Sequence, residues 1–469
     1  MKIRACVVFA IVGLPAVLAS AELPATTLLF SNPAFPASQV PGTPGVTFTS
    51  FLDGFTVSQN GSLWAIRANA TTAPTTRDTF FVTGNRNGIT TLVLENDILP
   101  GLGLGWFNTT AERTMFINDR GDFAFSGQFG PATSSTDEMV VKYTASSGLY
   151  SIVAREGDLI PGLGGERYGS TNDAAAIDNL GRVYFRDGGT SGSIPSDKDE
   201  FIFRGSDAAS VTPYLQGGTL APSGQLGGTN AILTGLTTRT FHVSDDGARY
   251  ITRGSLALPS NSSVIVVDGR VQLQAGAPIA GLSGLGLSTI ASSDNMGMNE
   301  KGDWFVWSST TALETFLMVN GEVVLTNTTP LPSGLAGTFT GIEDVGINGN
   351  GDVVIVSRIS TTGQYVITID PRGAAEPYVF LTSGPSSPFA QGIDINGDGL
   401  INDNAFLSTI SDVSLGDNGD LYVIGRVANS VTGLNIGDGL FHFYVDIIPA
   451  PGAVGVFALA SLMVPRRRR

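Results

Sequence analysis

Apolar and polar residues alternate in short runs along most of this chain, and Gly, Asn, Asp and Pro separate the runs. A period of two belongs to half-buried β-strands, and the separators are turn formers. One phrase recurs seven times: an apolar residue, a few polar residues including Asn or Asp, a Gly, then a β-rich run. The copies are Val57 to Trp64, Ile117 to Phe125, Ile177 to Phe185, Val243 to Tyr250, Met298 to Val306, Ile347 to Ile355 and Leu415 to Val423. Their glycines, Gly61, Gly121, Gly181, Gly247, Gly302, Gly351 and Gly419, are 60, 60, 66, 55, 49 and 68 residues apart. The phrase predicts a tight hairpin: Asn and Asp bond the turn, Gly takes a positive φ, and alternation resumes in the next strand.

A second phrase keeps time with the first. Pro/Gly/Leu-rich loops such as Pro100-Gly101-Leu102-Gly103 and Pro161-Gly162-Leu163-Gly164 stand about twenty residues upstream of most of those glycines. Between a hairpin and the next loop lie two more strand-like runs. In two periods they are joined by Asp268-Gly269 or Asn320-Gly321, both strong hairpin signals. Each period therefore holds about four strands. The expected fold is all-β, a seven-bladed β-propeller of four-stranded repeats, with tandem β-sandwich domains as the alternative. The seventh unit lacks its last strand, whereas Thr26 to Phe30 is strand-like and has no unit of its own. That segment is expected to complete the last blade and remove two open edges.

The ends differ from the body. Lys2 and Arg4 precede the apolar run Ala5 to Leu18 and the small-x-small site Ala19-Ser20-Ala21, which predicts a signal peptide over 1–21. Residues 449–469 contain Pro449-Ala450-Pro451-Gly452, apolar Ala453 to Val464, and Arg466 to Arg469. A short apolar helix followed by positive charge acts as a stop in a membrane. The 469-residue chain has a formal net charge of −15, with 26 basic and 41 acidic side chains. Removing both ends takes away six basic groups and no acid, so the body over 22–448 carries 20 − 41 = −21. Such a surface repels phosphate backbones and excludes nucleic acid as a partner. The single cysteine, Cys6, lies in the signal segment, so the mature body has no disulfide or thiolate metal site.

The C-terminal segment resembles the PEP-CTERM sorting signal of bacterial exosortase substrates. Ala450 stands where that family has Glu, and the apolar run is short. The resemblance implies transfer to a processing enzyme in the membrane, then release or attachment at the surface; a plain membrane anchor is the other reading. Either places the body outside the cytoplasm. The repeat phrase is also similar to Gly-rich N-x-x-G-D repeats of exported bacterial chains, a resemblance that implies no activity.

Candidate chemistry is sparse. Asp394-Ile395-Asn396-Gly397-Asp398-Gly399-Leu400-Ile401-Asn402 places side-chain oxygens at positions 1, 3, 5 and 9, with Gly at 6. This predicts a structural Ca2+ loop with ligands Asp394, Asn396, Asp398, the Leu400 carbonyl and Asn402. Ala405 occupies the twelfth position, where an EF-hand has its acid, and Asp403 is the available substitute. His242 and His442 stand far apart without a zinc or triad pattern. Trp64, Trp106, Trp304 and Trp307 could stack on sugars if exposed, or pack the core. The expected function is a non-enzymatic surface or matrix protein that binds a glycan or protein partner. The alternative is a carbohydrate-active enzyme on the same scaffold, which requires two or three carboxylates converging in the central funnel 5 to 10 Å apart.

Overall fold

A computed structural model describes residues 25–446, apart from 72–76, 108–114, 131–134, 171, 221–231, 235, 237–239, 257–261, 284–294, 375 and 387–388. The expected signal peptide over 1–21 and the expected sorting tail over 449–469 lie outside the described residues. Apart from the 3-10 turn Pro36–Ser38, every described element is a strand. No helix among the described residues is long and apolar enough to cross a membrane.

The strands form seven sheets of four or more strands, the blades of a seven-bladed β-propeller. Blade 1 is an antiparallel meander of Phe48–Val57, Leu63–Ala70, Thr79–Asn85 and Gly88–Leu94. The first strands of blades 2 to 7 are Met115–Ile117, Asn172–Ile177, Phe241–Val243, Met296–Met298, Phe339–Ile347 and Ala405–Leu415. Each pairs with the strand that follows its recurrent hairpin. In blades 4 and 5 the outer hairpins turn at Asp268-Gly269 and Asn320-Gly321, where both central residues have positive φ. That geometry matches the twist of the flanking strands and favours Asn or Asp followed by Gly.

The hydrophobic pattern explains how the blades stack. Successive strand residues point to opposite faces, and both faces of a blade are covered. In blade 1, Trp64, Ile66, Ala68, Phe80 and Val82 pack toward blade 7, whereas Ala65 and Phe81 pack toward blade 2. Among the described residues the core divides into seven apolar clusters, one in each gap between neighbouring blades. A row of separate sandwiches would leave its first and last sheets without such a gap.

Blade 7 closes the ring. Its sheet runs Ile393–Asp394, Ala25–Phe30, Asn435–Tyr444, Asp420–Asn429, Ala405–Leu415 from outside to inside. Thr26 pairs antiparallel with His442, and Phe30 with Gly439. Leu29 enters the core facing blade 1 and Phe30 the core facing blade 6, both at 0% exposure. The N-terminal strand is thus the expected closing strand. The two-residue strand Ile393–Asp394 adds to its free edge in parallel, an extra element that the repeat pattern does not contain.

Candidate functional site

The predicted cation loop sits directly on that closing strand. Thr27 Oγ1 donates to the Asp394 carbonyl at 2.6 Å. The two carboxylate oxygens of Asp394 accept from the amides of Gly397 and Gly399, each at 2.7 Å. Asn396 Nδ2 donates to Asp398 Oδ2 at 3.2 Å and to Asp403 Oδ1 at 2.8 Å. Asp403 Oδ2 accepts from the amides of Ile395 and Asn396, so Asp403 closes the loop from its far side. The fold brings Asp394, Asn396, Asp398 and Asp403 into one network. Leu400 joins through its amide, which donates to Asp398 Oδ1 at 2.8 Å; Asn402 is exposed and stands outside the network.

A second constellation lies at one end of the central channel. In six of the seven hairpins the first polar residue bonds its own turn: Ser58 Oγ and Ser244 Oγ accept from the amides five residues on, and the other four use Asn or Asp. Asn118 Oδ1, Asp178 Oδ1, Asn299 Oδ1 and Asn348 Oδ1 each accept from the amides two and four residues on. This local bond is why Asn or Asp recurs there. The next residue in each turn is Gln59, Asp119, Asn179, Asp245, Glu300, Gly349 or Asp417, and this position faces the neighbouring blades.

These turns form a closed circuit of hydrogen bonds. The Asn60 amide donates to Asp119 Oδ1 at 2.9 Å, and the Asp119 amide to Asn179 Oδ1 at 2.9 Å. The Asn179 amide donates to the Asp245 carbonyl and the Asp245 amide to the Glu300 carbonyl, at 3.0 and 3.1 Å. Asn299 Nδ2 reaches the Asn348 carbonyl at 2.7 Å, and the Gly349 amide reaches Asp417 Oδ1 at 2.5 Å. The Asp417 amide returns to the Asn60 carbonyl at 3.2 Å. Every blade is therefore bonded to the next around the axis.

Inside that circuit three carboxylates meet. Asp119, Asp245 and Glu300 each place one oxygen so that the three lie within 4.8 Å of one another. They come from blades 2, 4 and 5. Blades 2 and 5 are not neighbours, so these side chains can meet only at the axis. Gln59 of blade 1 also spans the channel, donating from Nε2 to the Val243 carbonyl of blade 4 at 2.9 Å. Burial, the negative charge of Asp119 and that of Glu300 push the Asp245 carboxyl up to about 6, against a hydrogen bond from Asn179. Burial and neighbouring carboxylates also raise Glu300 and Asp417 above their ordinary range. Lys301 Nζ lies 3.6 Å from Glu300 Oε1 and donates to the Gly349 carbonyl.

The remaining sequence candidates are structural. Trp64, Trp106 and Trp304 are buried in the cores between blades, and Trp307 packs against one such core; none of the four stands as an exposed sugar platform. His442 Nε2 lies 2.8 Å from the buried carboxylate of Asp420, which also accepts from Asn418 Nδ2. The axial trio is absent from the sequence reading because its position varies among Gln, Asp, Asn, Glu and Gly. Stacking the seven phrases and reading the residue after the turn-bonding Asn or Asp would have shown its acidic bias.

The fold can be set beside known proteins. An α-L-arabinanase from Penicillium chrysogenum, complexed with arabinobiose, shares 12% identity over 91% of this chain and 99% of its own, with a TM-score of 0.31. An oligogalacturonate lyase from Vibrio parahaemolyticus shares 10% over 84% and 85%, with a TM-score of 0.33. A quinoprotein alcohol dehydrogenase-like protein from Bacteroides thetaiotaomicron shares 12% over 74% and 68%, with a TM-score of 0.32. Likeness at this level carries nothing about substrate. No curated protein matches the chain. A family model does match, over residues 22–220 and again over 65–374, a combined span of most of the propeller. The chain belongs to the family of unknown function DUF7453.

Proposed function

We propose that this chain is an exported binding or structural protein without enzymatic activity, held at the cell surface or in the extracellular matrix. The state of the axial carboxylates is the observation that supports this reading. A glycosidase needs two carboxyl groups about 5 to 10 Å apart, with a sugar between them and protons free to move. Here the oxygens of the trio lie within 4.8 Å, and Gln59 is strung across the same space. Asp119 already accepts on both oxygens, from the Asn60 amide and from Asn179 Nδ2. Asp119 is thus a joint of the ring, held between the turns of blades 1 and 3.

Loops at the two ends of the blades would then present the binding surface, to a glycan or a matrix protein. The acidic body disfavours nucleic acid as a partner. The C-terminal tail would be handed to a membrane processing enzyme of the exosortase type, and the loop at 394–402 would hold a structural Ca2+ on the closing strand. A glycan array combined with a hydrolysis screen on the secreted protein tests the central claim. Binding without turnover is the expected result. Turnover that disappears in Asp245→Asn or Glu300→Gln would replace this reading with an enzymatic one.

A further inference from the structure

We propose that Asp187 and Asn172 form a proton-operated latch that ties together two loops of blade 3, residues 156–170 and 188–200, and that opens as the medium passes from acid to neutral. The two residues stand directly opposite each other in the antiparallel pair of Asn172–Ile177 with Val183–Asp187, at the end far from the recurrent turn. Opposed residues place their side chains on one face, with Cβ atoms about 5 Å apart. Ala174 and Phe185, two positions along each strand, lie in the core between blades 2 and 3, so both side chains enter the rim of that gap. Both residues are fully buried, at 0% exposure. They also grip one residue between them. Asn172 Nδ2 donates to the Gly169 carbonyl at 2.7 Å, and the Gly169 amide donates to Asp187 Oδ2 at 3.0 Å. Asn172 Oδ1, the other end of the same side-chain amide, is buried and accepts no hydrogen bond.

A buried acceptor calls for a donor, and a neutral Asp187 supplies one. Its hydroxyl donates to Asn172 Oδ1 while its two oxygens keep the Gly169 and Gly189 amides. The surroundings favour that state. Burial and the charge of Asp199 push the Asp187 carboxyl up to about 6, against the Gly189 and Gly169 amides and Arg186. The Arg186 guanidinium is itself paired with Glu200, and Glu166 is taken up by Thr190, Ser193 and Ile194. The Tyr168 phenol is pushed up by burial and by the charges of Asp187 and Asp158. Blade 2 contributes Ala124, Val140 and Val153 to the gap, none of them charged. Ionisation of Asp187 sets a carboxylate oxygen against the Asn172 carbonyl oxygen. The amide relieves this by turning Nδ2 towards Asp187, and the Gly169 carbonyl then loses its donor. Loosening spreads from Gly169 because the two loops meet there backbone to backbone. A Cβ placed on Gly169 would lie 2.0 Å from the Gly189 carbonyl oxygen, and Arg167 and Ser191 exchange both backbone hydrogen bonds at 2.9 Å. The surface formed by these loops is thus tighter in acid than at neutral pH, whatever it binds.

Hydrogen exchange of the full chain across about pH 4 to 8, read on peptides from 156–170 and 188–200, tests the latch. After correction for the intrinsic pH dependence of exchange, protection should fall about tenfold between pH 5 and pH 7.5. A carboxyl that titrates near 6 when latched and near 4 when released requires a change of that size. Asp187→Asn should abolish the fall. Asn172→Ala should keep a fall but lower its midpoint by about one pH unit, because the neutral carboxyl has lost its acceptor and the ionised one its opponent. Protection independent of pH in the parent chain overturns the proposal, as does a fall that survives Asp187→Asn. A midpoint unmoved by Asn172→Ala would mean that Asp187 titrates without its opposite residue, and would equally overturn it. Should Asp187→Asn fail to fold, the parent profile and the Asn172→Ala midpoint decide between the same outcomes.

Discussion

Gly61 has a φ of +77°, and a Cβ placed on it would sit 2.0 Å from the Gly416 Cα in the turn of blade 7. That contact is backbone against backbone and cannot be relieved by rotating a side chain. Gly42 has a φ of +75° with open space around its Cβ position. Gly42→Ala should therefore cost only the left-handed strain, about 1 kcal/mol, while Gly61→Ala should cost roughly 3 kcal/mol or more. Equal losses in urea unfolding would disprove a tight junction between the first and last turns. Asp187 supplies a different test. It is fully buried in blade 3, accepting from the amides of Gly169 and Gly189, and burial pushes its carboxyl up from 3.8 to about 6. The fold prefers its protonated form. Its contribution to stability is complete below about pH 4 and is lost as pH rises through 6, on the order of 3 kcal/mol. Asp187→Asn should remove that slope from the difference in stability between pH 4 and pH 7; identical pH profiles for the two proteins would refute it. At this scale the sequence is legible where a residue serves its own turn, as Asn118 and Asn348 do. It is silent where a side chain meets others only through the ring, as Asp119 and Glu300 do.

Among the elements, the strand Ala25–Phe30 carries the sharpest expectation. Deleting Thr26 to Phe30 removes Leu29 and Phe30 from two separate cores. Burial of such side chains contributes roughly 1.5–3 kcal/mol each, and the deletion also bares the edges of blade 7. Hydrogen exchange should show lost protection in Asn435–Tyr444 and Asp420–Asn429. Protection unchanged there would mean that the strand decorates the blade without completing it. This closure was readable because a strand without a unit at one end matched a unit without a strand at the other. Ile393–Asp394 was not readable: two residues cannot display a period, and their parallel pairing is set by where the 383–404 connection returns. The four-stranded units were visible because turn signals such as Asp268-Gly269 punctuate them. The split first strand of blade 2, Gly105–Phe107 and Met115–Ile117 against one partner, was hidden because the largely polar sequence from Asn108 to Thr114 interrupts the apolar alternation.

For the whole molecule, the two ends and the body make separate statements. The export reading expects secreted protein that begins at Glu22 and has lost its arginine tail; an intact mass that still includes Arg469 would reject the sorting step. Ring closure has a further consequence for how the molecule is made. The Asp438 amide donates to Ser31 Oγ across 407 positions of sequence, so the first stretch of the body to be synthesised is the last to be paired. Until the final strand emerges, the growing chain has one unfinished sheet and a free end that would finish it, and loop closure over that distance is a slow step. A prematurely terminated product can stack several blades but cannot join its beginning to its end. The seam thus acts as a proofreader of length: a full-size translation product alone becomes a closed ring, and shorter ones keep an open flank that proteases can recognise.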